Sequence, residues 1–177
     1  LSLPLVGAYQ PYNAAVAIEA IKILRSRGYR IPDDAVRRGL SEVVWKGRFE
    51  VLRRKPIFIL DGSHNPHGMR ATVDTIKQYF KGQKLHFVLG AMADKDVSSM
   101  LALLLPESAC FYTVTAPNPR AMSADELAAR IKESGGKAEA YEQIDKAVTA
   151  AATAAGKDGV CAAARHVIFF SDRAGSC

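Results

Sequence analysis

The segment IFILDGSHNPHG, residues 57–68, sets the architecture of this chain. Its apolar half, Ile57 to Leu60, reads as a short strand that stops abruptly at Asp61. A polar turn, Gly62-Ser63-His64-Asn65, follows. Pro66 then opens a helical segment with Met69, Val73, Ile76 and Phe80 at helical spacing. Asn65 suits an N-cap, and Pro66 is favoured just inside a helix start. An acid, an imidazole and a carboxamide therefore gather where a strand ends and a helix begins. Unpaired amides and the helix dipole favour an anion at such a place. The alternative is a strand-to-helix turn with ordinary capping chemistry.

Outward from this segment the same rhythm repeats. LHFVLG (85–90) leads through AMADKD to a helix, VSSMLALLL. ACFYTVTA (109–116) leads through PNPRAMS to a helix after Ser123, where Ser123 and Glu126 make a capping-box pattern. An extended piece, KAEAYEQ, precedes an alanine-rich helix over roughly 145–155, and a last strand is expected within 159–170. Alternating strands and helices predict an α/β fold with an open, mainly parallel sheet and helices on both faces. Ligands bind such sheets beyond the carboxyl ends of the strands. That edge gathers Asp61, His64 and Asn65; Asp94, Lys95 and Asp96; and Asn118 and Arg120.

Upstream the rhythm differs. Residues 1–12 read as a loop broken by Pro4, Gly7 and Pro11. From Asn13, Val16, Ala17, Ala20, Ile21 and Leu24 predict an amphipathic helix ending at Arg27-Gly28. A second helix is expected from Pro32 to about Leu40. Two helices with no strand before Phe49 place a boundary or hinge near Lys46-Gly47, dividing the chain into 1–46 and 47–177.

Bulk composition narrows the function classes. The 177 residues are 49% hydrophobic and 24% charged, an ordinary globular balance. No apolar run approaches the roughly 20 residues that span a bilayer, so no membrane partner is expected. A net charge of +6 favours anionic partners. Basic residues are scattered without interleaved aromatics, so nucleic acid is not expected. Three widely spaced cysteines form no disulfide framework and suggest reduced thiols in the cytoplasm. His64 and His67 have no completing ligand, so no metal site is predicted in the chain. Neither G-x-G-x-x-G after a strand nor G-x-x-x-x-G-K-[ST] occurs, and no serine lies in a nucleophile elbow. The start, LSLPLVGAYQ, has neither methionine nor signal-peptide character and reads as a cut inside a longer chain.

The ordered set GAYQPYNAAVAIEAI, WKGRFEVL, IFILDGSHNPHG, VLGAMADKD and APNPRAMSADELA resembles the C-terminal part of folylpolyglutamate and dihydrofolate synthases. These are members of the Mur ligase superfamily of ATP-dependent amide-bond ligases, and the likeness runs from about Leu5 to about Gly159. It implies a Rossmann-like C-terminal domain preceded by the helical end of the ATPase domain. The implied reaction activates a folate or dihydropteroate carboxylate with ATP, and L-glutamate then attacks the acyl phosphate. The implied cofactors are ATP and Mg2+, with the phosphate loop and magnesium ligands in an N-terminal ATPase domain that this chain lacks. A monomer is expected, inactive without that domain.

By motif, Asn13 resembles a contact to the nucleotide base, Arg48 the hinge arginine reaching the phosphates, and Asp61 the aspartate near the ribose and hinge. His64 resembles the histidine on the phosphate and incoming-glutamate side, with Asn65 beside it as a substrate contact. Lys95, with Asp96, lies in a family-like loop and is the second catalytic candidate. Structural alternatives stand for each: Asn13 as a helix cap, Arg48 as a solvated linker cation, and Asp61 with His64 as a hydrogen-bonded pair. Lys95, Asp96 and Arg120 could be plain loop charges, and His86 is expected to be structural. The end, DGVCAAARHVIFFSDRAGSC, departs from the family pattern, which has a glycine-serine turn after this strand. No residue beyond Gly159 is therefore placed in the site. Two other readings are a peptidoglycan-type ligase of the same superfamily and a non-catalytic module binding an anion or a partner chain.

Overall fold

A computed structural model describes residues 1–164. Two helices come first, α1 (Gln10–Ser26) and α2 (Asp33–Glu42), followed by β1 (Glu50–Arg54) and β2 (Ile57–Asp61). Then come α3 (Pro66–Tyr79), β3 (Leu85–Leu89), α4 (Val97–Leu104), β4 (Ser108–Val114), α5 (Ala124–Glu133), β5 (Ala138–Tyr141), α6 (Ile144–Ala155) and β6 (Val160–Ala164). The expected last strand is β6, and the rest of its window, with the apolar run 167–170, lies outside the described residues.

The strands form one sheet in the order β1-β2-β6-β3-β4-β5. All neighbours are parallel except β1, which pairs antiparallel with β2 at the edge. The chain steps outward from β2 to β3, β4 and β5, then reverses so that β6 enters between β2 and β3. Right-handed crossovers put outward-step helices on one face and the return helix on the other. The packing agrees. Met69, Val73 and Ile76 of α3, Leu101 and Leu104 of α4, and Leu127 and Ile131 of α5 share a core with Ile59, Phe87 and Phe111. Ala147 and Ala151 of α6 pack against Phe58, Leu60, Val88, Tyr112 and Val114. Alternate strand residues thus feed opposite faces. Each fully buried Leu, Ile or Phe contributes about 1.5–3 kcal/mol.

Small residues line the return path. Cys161, Ala162 and Ala163 fill the central strand, where both faces are covered. A Cβ on Gly159 would lie 2.1 Å from the Ala155 carbonyl oxygen, so the turn into β6 needs glycine there.

The leading helices differ in two ways from expectation. Helix α1 begins at Gln10, with Pro11 in its first turn, because proline needs no amide partner there. Its apolar stripe is not core: Val16 is 71% and Leu24 38% exposed, and Gln10 is the helix's buried residue. Arg25 fastens α1 to the start of α2 through the Ile31 carbonyl (2.7 Å) and Asp33 (2.7 Å). No described helix is long and apolar enough to cross a membrane.

Candidate functional site

The carboxyl ends of β2 and β3 open onto a small recess of about 20 Å³ that is open to solvent. His64 and Lys95 both line it, together with Ser63, Met69, Gly90 and Met100. His64 is exposed, with Nδ1 3.0 Å from the Gly62 carbonyl oxygen. Asn65 caps α3 as expected, its Oδ1 accepting from the Gly68 amide at 2.8 Å. The first turn of α3 thus faces the same edge as an imidazole and an ammonium group. Such a set can hold a phosphoryl or carboxylate group.

Behind the recess lies the turn at residues 47–49, where the sequence places a boundary or hinge. Gly47 (φ +70°) and Phe49 (φ +47°) both take left-handed backbone conformations. For a bulky residue this costs about 1–3 kcal/mol and persists only where surroundings impose it. Phe49 is buried to 2% exposure, and its amide donates to Asp61 Oδ2 at 2.9 Å. Asp61 Oδ1 accepts from the Ser63 amide (3.0 Å) and the Thr72 hydroxyl (2.6 Å). Between Gly47 and Phe49, Arg48 is half-buried, with its guanidinium 5.6 Å from the Trp45 ring centre. The Tyr9 hydroxyl is pushed to a higher pKa by burial and by nearby Asp61, against the opposing effect of Arg48. Tyr9, the residue before α1, therefore lies near Asp61 and Arg48.

An arginine-bearing turn beside an anion-suited edge of an α/β sheet also fits the comparisons with known proteins. Residues 47–166 match the family model described as Mur ligase, glutamate ligase domain. The chain belongs to the Mur ligase glutamate ligase domain family.

Relatives and solved structures agree. A probable bifunctional folylpolyglutamate synthase/dihydropteroate synthase from Halobacterium salinarum is 36% identical over 88% of this chain and 18% of that protein. A UDP-N-acetylmuramoyl-L-alanyl-D-glutamate–2,6-diaminopimelate ligase from Caldanaerobacter subterraneus is 34% identical over 75% of this chain and 27% of that protein. A crystal structure of Mycobacterium tuberculosis folylpolyglutamate synthase complexed with ADP and AMPPCP superposes with a TM-score of 0.83. It is 28% identical, over 93% of this chain and 39% of that one. The chain thus spans less than a third of the length of either relative.

Within this Mur ligase domain the predicted residues separate by role. Asp61, expected near a nucleotide, is 4% exposed, and its two oxygens accept from three internal donors. Its geometry is that of a support. Asp96 caps α4 through the Ser99 amide (3.0 Å), and bonding to the Ser99 side chain first, then to that amide, holds its carboxyl below the usual range. Arg120 does not line the recess; it reaches Asp94 (3.0 Å) and ties the β3–α4 and β4–α5 loops together. The Met122 amide donates to the Ala91 carbonyl (2.9 Å) across the same loops. Asn13 does not cap α1, since it lies one turn inside; its exposed amide donates to Gln10 Oε1 at 3.2 Å. Only half of the expected capping box forms. Ser123 accepts from the Glu126 amide, while the Glu126 carboxylate turns to Arg130 (2.8 Å). Among the described residues no group of three or more His, Cys, Asp or Glu is arranged to hold a metal ion.

Two residues of the glutamate ligase domain escaped the sequence reading. Phe49 looked like the start of a strand, and nothing local announces its positive φ. Thr72 left a faint trace: it is a hydroxyl in the buried stripe of Met69, Val73 and Ile76, where an apolar residue is expected.

Proposed function

We propose that this chain is the C-terminal part of an ATP-dependent amide-bond ligase that adds L-glutamate to folate or dihydropteroate. The observation that carries this reading is the shared recess of His64 and Lys95 beside the α3 N-terminus, in a glutamate ligase domain joined to a basic hinge. In the reaction, ATP phosphorylates a folate carboxylate. The glutamate amine then attacks the acyl carbon, the C–O bond to the phosphoryl group breaks, and phosphate leaves. Both steps build negative charge that fixed cations and amide dipoles stabilise.

Arg48, moving with the hinge, meets the nucleotide phosphates, and Asn13 meets the base. Asp61 serves the nucleotide from below by holding Phe49, next to Arg48. His64 and Lys95 receive the transferred phosphoryl group or the glutamate carboxylate, and Asn65 orients the loop between them. The magnesium ion is assigned to the ATPase domain that the family resemblance implies, and no role here depends on it. The division at residues 46 and 47 is supported by the start of the family match at Gly47. The exposed apolar face of α1, with Tyr12 76% and Val16 71% exposed, supports packing against that preceding domain. A monomeric cytoplasmic enzyme fits this reading.

In a complete ligase containing this chain, His64→Ala and Lys95→Ala are expected to lower glutamate-dependent phosphate release by about 10²-fold or more. Their melting temperatures should stay within a few degrees of wild type, because both side chains are exposed. Equal loss of turnover and stability would make both residues structural. The 177 residues alone, without a phosphate loop, are expected to release no phosphate. A peptidoglycan-type acceptor is the second reading, favoured by the similarity to the diaminopimelate ligase. Competition between dihydropteroate and a UDP-muramoyl peptide separates the two.

A further inference from the structure

The hinge and the His64 loop share one buried support. Thr72 Oγ1 donates to Asp61 Oδ1 at 2.6 Å, and Ser63 Oγ lies 2.8 Å from Thr72 Oγ1. A threonine hydroxyl has a single proton. The carboxylate at 2.6 Å takes that proton ahead of the Gly68 carbonyl at 3.2 Å, so the Ser63 hydroxyl donates to Thr72. The Ser63 amide donates to the same Asp61 oxygen (3.0 Å), while the other oxygen holds the Phe49 amide (2.9 Å). Asp61, Ser63 and Thr72 are each less than a tenth exposed, so water cannot replace these bonds cheaply.

We infer that Thr72 is a positioning residue: its hydroxyl fixes the Asp61 carboxylate and thereby locks the strained Phe49 hinge to the loop that carries His64. Phe49 has a backbone conformation that its own side chain disfavours, so something outside it must hold it. Its amide partner is Asp61, whose second oxygen is held by the Ser63 amide from its own loop and by Thr72. Thr72 supplies the shorter of those two bonds, and the one that comes from α3. A movement of the hinge is thus felt at Ser63, and the reverse. The coupling rests on the proposed function only in making Arg48 and His64 its beneficiaries, and its test needs no nucleotide.

The chain contains one tryptophan, Trp45, which lies against Arg48 and reports on the hinge by fluorescence. Thr72→Val keeps the shape and removes the hydroxyl, whereas Thr72→Ser restores it. In the 177-residue chain, well below its melting temperature, Thr72→Val is expected to shift Trp45 emission. It should also speed hydrogen exchange at the Phe49 and Ser63 amides by about tenfold, with β3 and β4 amides unchanged. Thr72→Ser should behave as wild type. Thr72→Ala, which also removes the hydroxyl, gives the same readouts should Thr72→Val not fold. Unchanged exchange at Phe49 and unmoved emission in the folded variants would overturn the proposal. So would an acceleration spread equally over β3 and β4, which is what general destabilisation gives.

Discussion

His86 is the second residue of β3, with its ring half-buried and Nδ1 3.2 Å from the Tyr112 hydroxyl. Burial lowers its pKa below the ordinary 6.5, so the folded chain favours the neutral ring. The unfolded chain therefore takes up this proton first as pH falls. His86 contributes stability that is complete above pH 6.5 and declines as pH drops below it. Urea midpoints measured between pH 7.5 and 5 should fall, and His86→Gln should flatten that slope relative to wild type. The neighbouring Tyr112 is pushed well above its usual range, chiefly by burial, and Tyr141 to about 12, chiefly by its bond to Glu139. Neither titrates in that window. The expectation that His86 is structural thus acquires a mechanism, whereas its tyrosine partner, 26 positions away, could not be read locally.

Helix starts were the most legible elements, because capping chemistry is local. Asn65 and Ser123 cap α3 and α5 where the sequence placed them. Ser123→Ala removes the acceptor of the Glu126 amide and should cost about 1 kcal/mol, read from chemical denaturation. The Glu126 side chain was misassigned because Arg130, four residues on, offers a charged partner and the backbone amide a neutral one. At the other end of the sheet, Gly159→Ala would force a methyl group into the Ala155 carbonyl. That turn must open, pulling β6 out of register with β2 and β3, so a loss of about 2 kcal/mol or more is expected. Thermal melts of this variant against Gly82→Ala, at a positive-φ turn with open space around it, separate packing from backbone strain.

The sheet and the buried members of both core clusters lie between Phe49 and Ala164, while α1 and α2 together bury only Gln10. A chain beginning at Val44 should therefore unfold cooperatively, with a midpoint only a few degrees below that of the full 177 residues. Val6 packs against the larger cluster and Tyr9 against the hinge, which accounts for the difference. Broad, non-cooperative melting would show that the leading helices are integral to the core. The positive net charge is spread over the surface; five ion pairs are found among the described residues, and the Arg120–Asp94 pair, though exposed, joins two site loops. An exposed pair of this kind contributes at most about 1 kcal/mol. Its value here is in fixing the loop that carries Lys95.

Strand and helix identity, the crossover rhythm and the placing of polar loops at one sheet edge were all encoded in short windows. Apolar period, caps and turn residues act over a few positions, and crossover handedness then leaves few arrangements. The return of β6 to the middle of the sheet, the exposure of the α1 stripe and the burial of Asp61 were not encoded that way. Each depends on which distant groups come together: Ala162 beside Phe87, Asp61 beneath Phe49, Thr72 against Asp61. A carboxylate reads the same in sequence whether it meets water, a ligand or three internal donors. Only the packed chain distinguishes them, because burial and hydrogen-bond satisfaction belong to the assembled fold.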